Sequence, residues 1–234
     1  MNDVLILGSS KGLGKSLYKF FKTDGVKVLG VSRTEGNYTD FICDLSNKEQ
    51  TNKLVETLYI SEIMPKSIIF NAGQGSSKKE TLEERKKELM NQNFHNSKNF
   101  IEILEKYPKR LNDFKNLIFI NSICALENFD CSEEYMQSKS ELLKYSRVLA
   151  KNFIKYGIRV NSILPGNIMH ENSIWNKKFK DDNEETNFLN KTMPHNDWIY
   201  PIDIYETITF LIKNKNVVNT EIILDGGQSI FSPN

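Results

Sequence analysis

The chain has little of what would point away from a compact globular domain. Its 234 residues include three cysteines, Cys43, Cys124 and Cys131. An odd number leaves one unpaired in any disulfide scheme, and none of the spacings suits a metal, so no metal site is expected and a reducing compartment is. No charge dominates: 31 Lys and Arg face 30 Asp and Glu. Nothing in that balance favours nucleic acid or an anionic membrane as partner. No apolar run approaches the ~18 residues that a membrane span needs. Met1-Asn2-Asp3 and four apolar residues before Gly8 make no secretory signal, so the expected location is the cytoplasm. Linkers, tandem repeats and low-complexity tracts are also missing.

What is there has a rhythm. Short apolar runs alternate with amphipathic helical stretches, the pattern of parallel strands buried on both faces. Val4–Leu7, Val28–Val31, Ile68–Phe70, Leu117–Ile120, Ile158–Leu164 and Glu221–Leu224 read as strands, with a short one at Asp40–Cys43. Leu13, Leu17, Phe20 and Phe21 form a helical stripe, as do Ile204, Ile208, Leu211 and Ile212, and Leu142, Ser146, Leu149 and Phe153. Capping boxes are expected at Ser46…Glu49, Thr81…Glu84 and Asp203…Glu206. One α/β domain over residues 1–234 is the economical reading. Residues 171–200 break the rhythm with polar residues, two tryptophans and Pro194, and are expected to form an irregular lid.

Gly8-Ser9-Ser10-Lys11-Gly12-Leu13-Gly14 follows the first strand and opens the first amphipathic helix. Glycines permit a tight turn and close backbone approach, and the helix N-terminus offers free N–H groups to a pyrophosphate. The closing Gly-Lys-Ser/Thr of a triphosphate loop is missing. After the second strand the chain reads Ser32-Arg33-Thr34, where a carboxylate would ordinarily meet an NAD ribose. Arg33 and Lys11 would instead flank a 2′-phosphate, so NADP is expected over NAD, with Glu35 as the opposing sign.

Tyr135 and Lys139 lie four residues apart, one helical turn, and Ser122 precedes the tyrosine by thirteen. A phenol and an ammonium at that spacing share a helix face, and a nearby cation favours the phenolate, as an acid/base near neutral pH requires. A hydroxyl at the end of the preceding strand would hold a carbonyl beside the phenol. Alone, the pair reads more simply as surface charge.

Together these markers resemble the short-chain dehydrogenase/reductase family in its compact subfamily. The resemblance also rests on Asp44-Leu45, Asn71-Ala72-Gly73, Asn93, Pro165-Gly166 and Asp225-Gly226-Gly227, in order along the chain. It implies a single-domain Rossmann-type, doubly wound sheet of about seven parallel strands. It implies Tyr135 as general acid/base and Lys139 holding the nicotinamide ribose and lowering the tyrosine pKa. Ser122 would orient the substrate oxygen and Asn93 would hold a water linking Lys139 to solvent. Asp44 and Leu45 would contact adenine, Asn71, Ala72 and Gly73 would lie beside the adenosine, and the backbone past Pro165-Gly166, near Ile168, would reach the nicotinamide amide. A small carbonyl or alcohol substrate and a homodimer or homotetramer, built on helices near 93–104 and 134–153, are further implications. Leu7 and His170 depart from the pattern, standing where threonines are usual. Cys124, Phe129, Asn172, Trp175, Phe179 and Trp198 are candidate substrate contacts, and Lys177, Lys178 and Lys180 would attract an anionic substrate if they are not simply solvated. A dinucleotide-binding sensor without catalysis is the alternative reading.

Overall fold

The computed structural model describes residues 3–60, 65–171 and 173–231, leaving aside the side chains at 109, 110 and 177. Seven parallel strands form one sheet: β1 (Val4–Leu7), β2 (Val28–Ser32), β3 (Phe41–Ile42), β4 (Ser67–Phe70), β5 (Asn116–Ile120), β6 (Arg159–Pro165) and β7 (Glu221–Leu224). Their spatial order is β3-β2-β1-β4-β5-β6-β7. The chain begins in the middle, builds outward to β3, then crosses to β4 and builds the other way. A crevice therefore opens at the carboxyl ends of β1 and β4, where this topology places ligands.

Why the strands form is visible in β1. All four residues are buried, and they alternate: Leu5 and Leu7 enter one core, Val4 and Ile6 the other. Covered on both faces, a central parallel strand has no solvent side to mark with polar residues. The first core lies under α2 (Lys48–Ile60), α4 (Asn96–Leu104) and α6 (Glu133–Phe153). The second lies under α1 (Gly12–Thr23) and α8 (Pro201–Lys213). The three expected stripes face these cores: Leu13, Leu17 and Phe21 of α1, Leu142, Ser146, Leu149 and Phe153 of α6, and Ile204, Ile208, Leu211 and Ile212 of α8 are buried. Only Phe20 is left partly exposed.

Of the expected capping boxes, the one at Thr81 stands. It opens α3 (Leu82–Met90), with Thr81 Oγ1 accepting from Glu84 N and Glu84 Oε2 accepting from Thr81 N. The other two are corrected. Asn47, not Ser46, caps α2, its Oδ1 accepting from the backbone of Glu49 and Gln50 at 3.0 and 3.1 Å. Helix α8 starts earlier than expected, with Pro201 in its first turn, where the missing N–H costs nothing. Asp203 then lies inside the helix and accepts from Tyr200 N at 2.6 Å.

Residues 171–200 are also more ordered than the sequence suggested. They contain α7 (Asp182–Thr192), whose cap Asp181 accepts from the N–H groups of Asn183 and Glu184. Met193, Trp198 and Ile199 join the second core, and Ile199 bridges in parallel to Ile168. A polar helix of one buried leucine carries too weak an apolar period to be read from sequence. Among the described residues, no helix is long and apolar enough to cross a membrane.

Candidate functional site

The glycine-rich turn is shaped by contacts that exclude side chains. Gly8 has φ +94°, and a Cβ there would meet the Ala72 backbone at 2.7 Å. A Cβ on Gly14 would lie 1.9 Å from the Gly8 carbonyl oxygen, so the first turn of α1 packs directly on the end of β1. Lys11 occupies the N-cap and makes no side-chain cap, which leaves the N–H groups of the first turn facing the crevice without a side-chain acceptor.

A groove runs from this turn across the sheet edge. It is lined by Gly8, Ser10, Lys11, Ser32, Arg33, Asp44, Leu45, Asn71, Ala72 and Gly73, with Val31, Cys43, Gln92 and Asn96. Gly12, Leu13 and Gly14, also expected to touch the cofactor, are outside that lining, and Leu13 turns its side chain into the core. Asn71 works at the sheet end: its Nδ2 donates to the Gly8 carbonyl at 2.7 Å while the residue also lines the groove. Ser32 is buried, and its hydroxyl donates to Thr34 O at 2.6 Å and pairs with Thr39 Oγ1 at 2.7 Å. Arg33 and Lys11 thus share the lining with one acid, Asp44, whose Oδ1 already accepts from the Ser46 N–H and hydroxyl. Glu35 stands outside that lining. In the wall, Asn96 Oδ1 is buried and has no hydrogen-bond partner among the described residues. A glycine cradle, open helix N–H groups, two cations and an orphaned acceptor together fit a nicotinamide dinucleotide.

Beyond Gly73 the groove meets the reactive side chains. Ser122 ends the run after β5 and caps a short 3₁₀ turn, accepting from Cys124 N at 3.2 Å. Ser132 caps α6 by accepting from Tyr135 N, which places Tyr135 in the first turn of that helix. The Ser122 hydroxyl lies near the Tyr135 phenol and favours its ionised form. Lys139, one turn on, is buried, and its Nζ donates to Ile120 O at 3.2 Å and lies 5.9 Å from the Tyr135 ring centre. A Cβ on Gly73 would come 3.6 Å from that Nζ, so the amine borders the groove directly.

Burial dominates the electrostatics. It lowers Lys139 to about 8. It pushes the Tyr135 phenol up, against the opposing influence of the Ser122 hydroxyl, and the nearby Cys124 and Cys131 thiols push the same way. The expected lowering of the tyrosine pKa by Lys139 is therefore corrected for the ligand-free chain. Desolvation of both groups outweighs a cation that faces a carbonyl and the ring rather than the phenol oxygen.

Asn93 is fully buried in a π-helical turn, Asn91–His95, between α3 and α4. Its Oδ1 accepts from Gln74 N at 2.7 Å, and its Nδ2 donates to Gln74 O at 3.0 Å and Ser138 Oγ at 2.9 Å. The carboxamide ties the loop after β4 to α6, next to Lys139. Gln92 and Asn96 of the same stretch, unmarked by the sequence reading, line the groove, and Asn99 Nδ2 holds the Leu45 carbonyl at 2.9 Å. Amides recurring at helical spacing were the available signal.

Pro165, Gly166 and Ile168 lie apart from the groove lining. Pro165 ends β6, and Gly166 packs against Asp225 and Gln228. The Ile168 bridge uses Asn167 O and Met169 N, so Ile168's own N–H and C=O turn the other way, as in any parallel ladder. His170 packs over the glycine turn: a Cβ on Gly12 would lie 3.0 Å from its Cε1. Burial lowers its pKa. Trp175, Phe179 and Trp198 stack with Phe188 rather than presenting separate contacts, with centroids 5.1–6.0 Å apart. Lys178 sits over Trp175 and Phe188 at 4.5 and 4.6 Å, so this cation is engaged with its own lid. Lys180 lines a cavity with Met169, Trp175 and Phe179. Cys124 is buried, and Phe129 is half-buried against the small cluster of Ile123, Leu143 and Leu164; Asn172 and the Lys177 side chain lie outside the described residues.

Known proteins carry the same frame. A family model described as enoyl-(acyl carrier protein) reductase matches residues 12–229. A 3-oxoacyl-[acyl-carrier-protein] reductase of Rickettsia bellii is 27% identical, covering 95% of this chain and 95% of its own. A 2-dehydro-3-deoxy-D-gluconate 5-dehydrogenase of Bacillus subtilis is 24% identical, over 95% and 92%. Among solved structures, 4-hydroxyisoleucine dehydrogenase complexed with NADH matches with TM-score 0.83 and 22% identity, over 99% of this chain and all of that one. ElxO with NADP bound matches with the same TM-score, identity and coverages.

Proposed function

The chain belongs to the short-chain dehydrogenase/reductase family of NAD(P)-dependent oxidoreductases, and we propose that it works there as an NADP-preferring carbonyl reductase. The observation that carries the reading is the meeting of Ser122, Tyr135 and Lys139 beside Gly73, at the end of a groove whose rim holds Lys11 and Arg33.

The dinucleotide supplies or accepts hydride when bound. The chain's residues do the rest. Ser122 and Tyr135 hold the substrate oxygen, and the phenol, kept protonated by burial, donates its proton as hydride reaches the carbonyl carbon. Lys139 binds the nicotinamide ribose hydroxyls from the groove edge and restores the phenol's proton through that network. Asn93, its carboxamide committed to Gln74 and Ser138, would reach the relay water through its main chain. The backbone of Ile168 positions the carboxamide of the ring. Residues 171–200 close over the substrate, a small carbonyl or secondary alcohol, with Cys124 and Phe129 on the facing wall.

NADP preference is supported by a cation pair at the rim, by Ser32 standing where a carboxylate would repel a 2′-phosphate, and by Glu35 standing outside the lining. We also propose a homodimer or homotetramer built on α4 and α6. A panel of ketones and aldehydes with NADPH, followed by loss of nicotinamide absorbance, tests the function. Turnover of at least one class supports it; tight NADPH binding with no turnover across the panel would favour a sensor instead.

A further inference from the structure

Away from the dinucleotide groove, the lid encloses a cavity of about 320 Å³, the size of a small-molecule site. Trp175, Phe179 and Met169 form its apolar wall. Asp181, Asp182 and Glu185, from the cap and first turn of α7, set three carboxylates against the one ammonium of Lys180. The cavity shares no lining residue with the groove, and neither Ser122, Tyr135 nor Lys139 reaches it. Acids in a first turn ordinarily serve the helix dipole, and part of this set is so engaged. Asp181 Oδ1 caps α7, and Glu185 Oε1 accepts from Trp198 Nε1 at 2.5 Å. Asp182 accepts no hydrogen bond and forms no ion pair among the described residues. The rings prefer the same sign of guest. Lys178 Nζ already lies 4.5 Å from the Trp175 ring centre and 4.6 Å from that of Phe188, so this aromatic cluster takes an ammonium against its faces.

We propose that this cavity binds a small organic cation, an ammonium on a compact apolar body, at a site separate from the dinucleotide and from the reacting carbonyl. The faces of Trp175 and Phe179 attract the cation through their quadrupoles while their carbon surface covers its apolar groups. Asp182 supplies the ion pair, and Lys180, the like charge in the lining, limits the affinity. An anion would meet the three carboxylates, and a neutral guest would cover Asp182 without pairing it. A bare metal ion fits less well. Rings and a thioether give a hard cation no oxygen, and no group of three His, Cys, Asp or Glu among the described residues is placed to hold a metal. The inference rests on the lid alone and does not depend on the reductase reading.

Both tryptophans of the chain, Trp175 and Trp198, lie in this cluster with ring centres 5.6 Å apart, so intrinsic fluorescence reports on it directly. The full chain is titrated with choline and, in parallel, with dimethylbutanol, its uncharged isostere with carbon in place of nitrogen. Ionic strength is held constant with sodium chloride, and the affinities are repeated by calorimetry. Choline should give a saturable change, with the isostere at least about tenfold weaker. Asp182→Asn should weaken choline by about three- to tenfold, and Lys180→Gln should tighten it by about the same factor. Saturating NADP should leave choline affinity within about twofold, since the two sites share no lining residue. No saturation up to about 100 mM choline, equal affinity for the isostere, displacement by NADP, or two charge variants without effect or of reversed sign would each overturn the proposal. The comparison of the two probes on the unaltered chain decides the matter even if a variant folds poorly. It needs no substrate, so its failure leaves the carbonyl panel as the separate test of the reductase reading.

Discussion

Replacing Arg33 with alanine should separate the two dinucleotides. Its guanidinium is exposed and lines the groove beside Ser32 and Asp44. Two unit charges about 4 Å apart are worth ~1 kcal/mol in bulk water and ~4 kcal/mol at a surface-like dielectric. Exposure places Arg33 toward the lower value, so about 1–2 kcal/mol is expected for contact with a 2′-phosphate. At 1.4 kcal/mol per decade this is a loss of about 5–30-fold in NADPH affinity. NADH, lacking that phosphate, should change by less than about twofold on the same reasoning. Arg33→Asp adds repulsion and should widen the gap. Each reduced dinucleotide is titrated by nicotinamide fluorescence at low and high salt, and salt should shrink the NADPH effect. Equal losses for both dinucleotides would refute the assignment.

Three further expectations rest on the same coordinates. Gly14→Ala drives a Cβ to 1.9 Å from the Gly8 carbonyl; a cost of about 3 kcal/mol should lower the melting temperature by about 6–12 °C, and an unchanged melt would contradict the close packing. Lys139, lowered from 10.5 to about 8, penalises the folded state when charged. Its contribution is favourable above the unfolded value and lost as pH falls through about 8, so wild type should gain up to about 3 kcal/mol on Lys139→Met between pH 8 and 10.5. Tyr135 is present in both proteins and cancels; a flat difference in denaturant melts would remove the burial argument. Because burial raises the phenol, alcohol oxidation should accelerate with pH well above neutrality while carbonyl reduction holds, in paired initial-rate profiles.

Strands were legible because a run of three or four apolar residues between turn residues has few other uses, as at Val4–Leu7 and in Glu221–Leu224. Spacing showed only that Tyr135 and Lys139 share a helix face; their grouping with Ser122 came from the resemblance to a family, since the pair alone reads as well as surface charge. What escaped depends on tertiary packing. The choice between Ser46 and Asn47 as cap turned on Asp44 capturing the serine. The π turn that buries Asn93 has no local signature, and its partners Gln74 and Ser138 come from other elements. Trp175 and Trp198 were rightly marked as belonging to one segment, but their stacking with Phe188 required α7, whose polar sequence hides its helix. The tyrosine pKa went the other way because spacing reveals a neighbouring charge and not the burial around it.

The most direct test of the central claim is Tyr135→Phe, measured for NADPH affinity and for turnover of the best substrate in the carbonyl panel. Loss of the proton donor should lower kcat by about two to four orders of magnitude while NADPH affinity stays within about threefold, since Tyr135 lies outside the groove lining. Turnover within about tenfold of the unaltered enzyme would contradict the account.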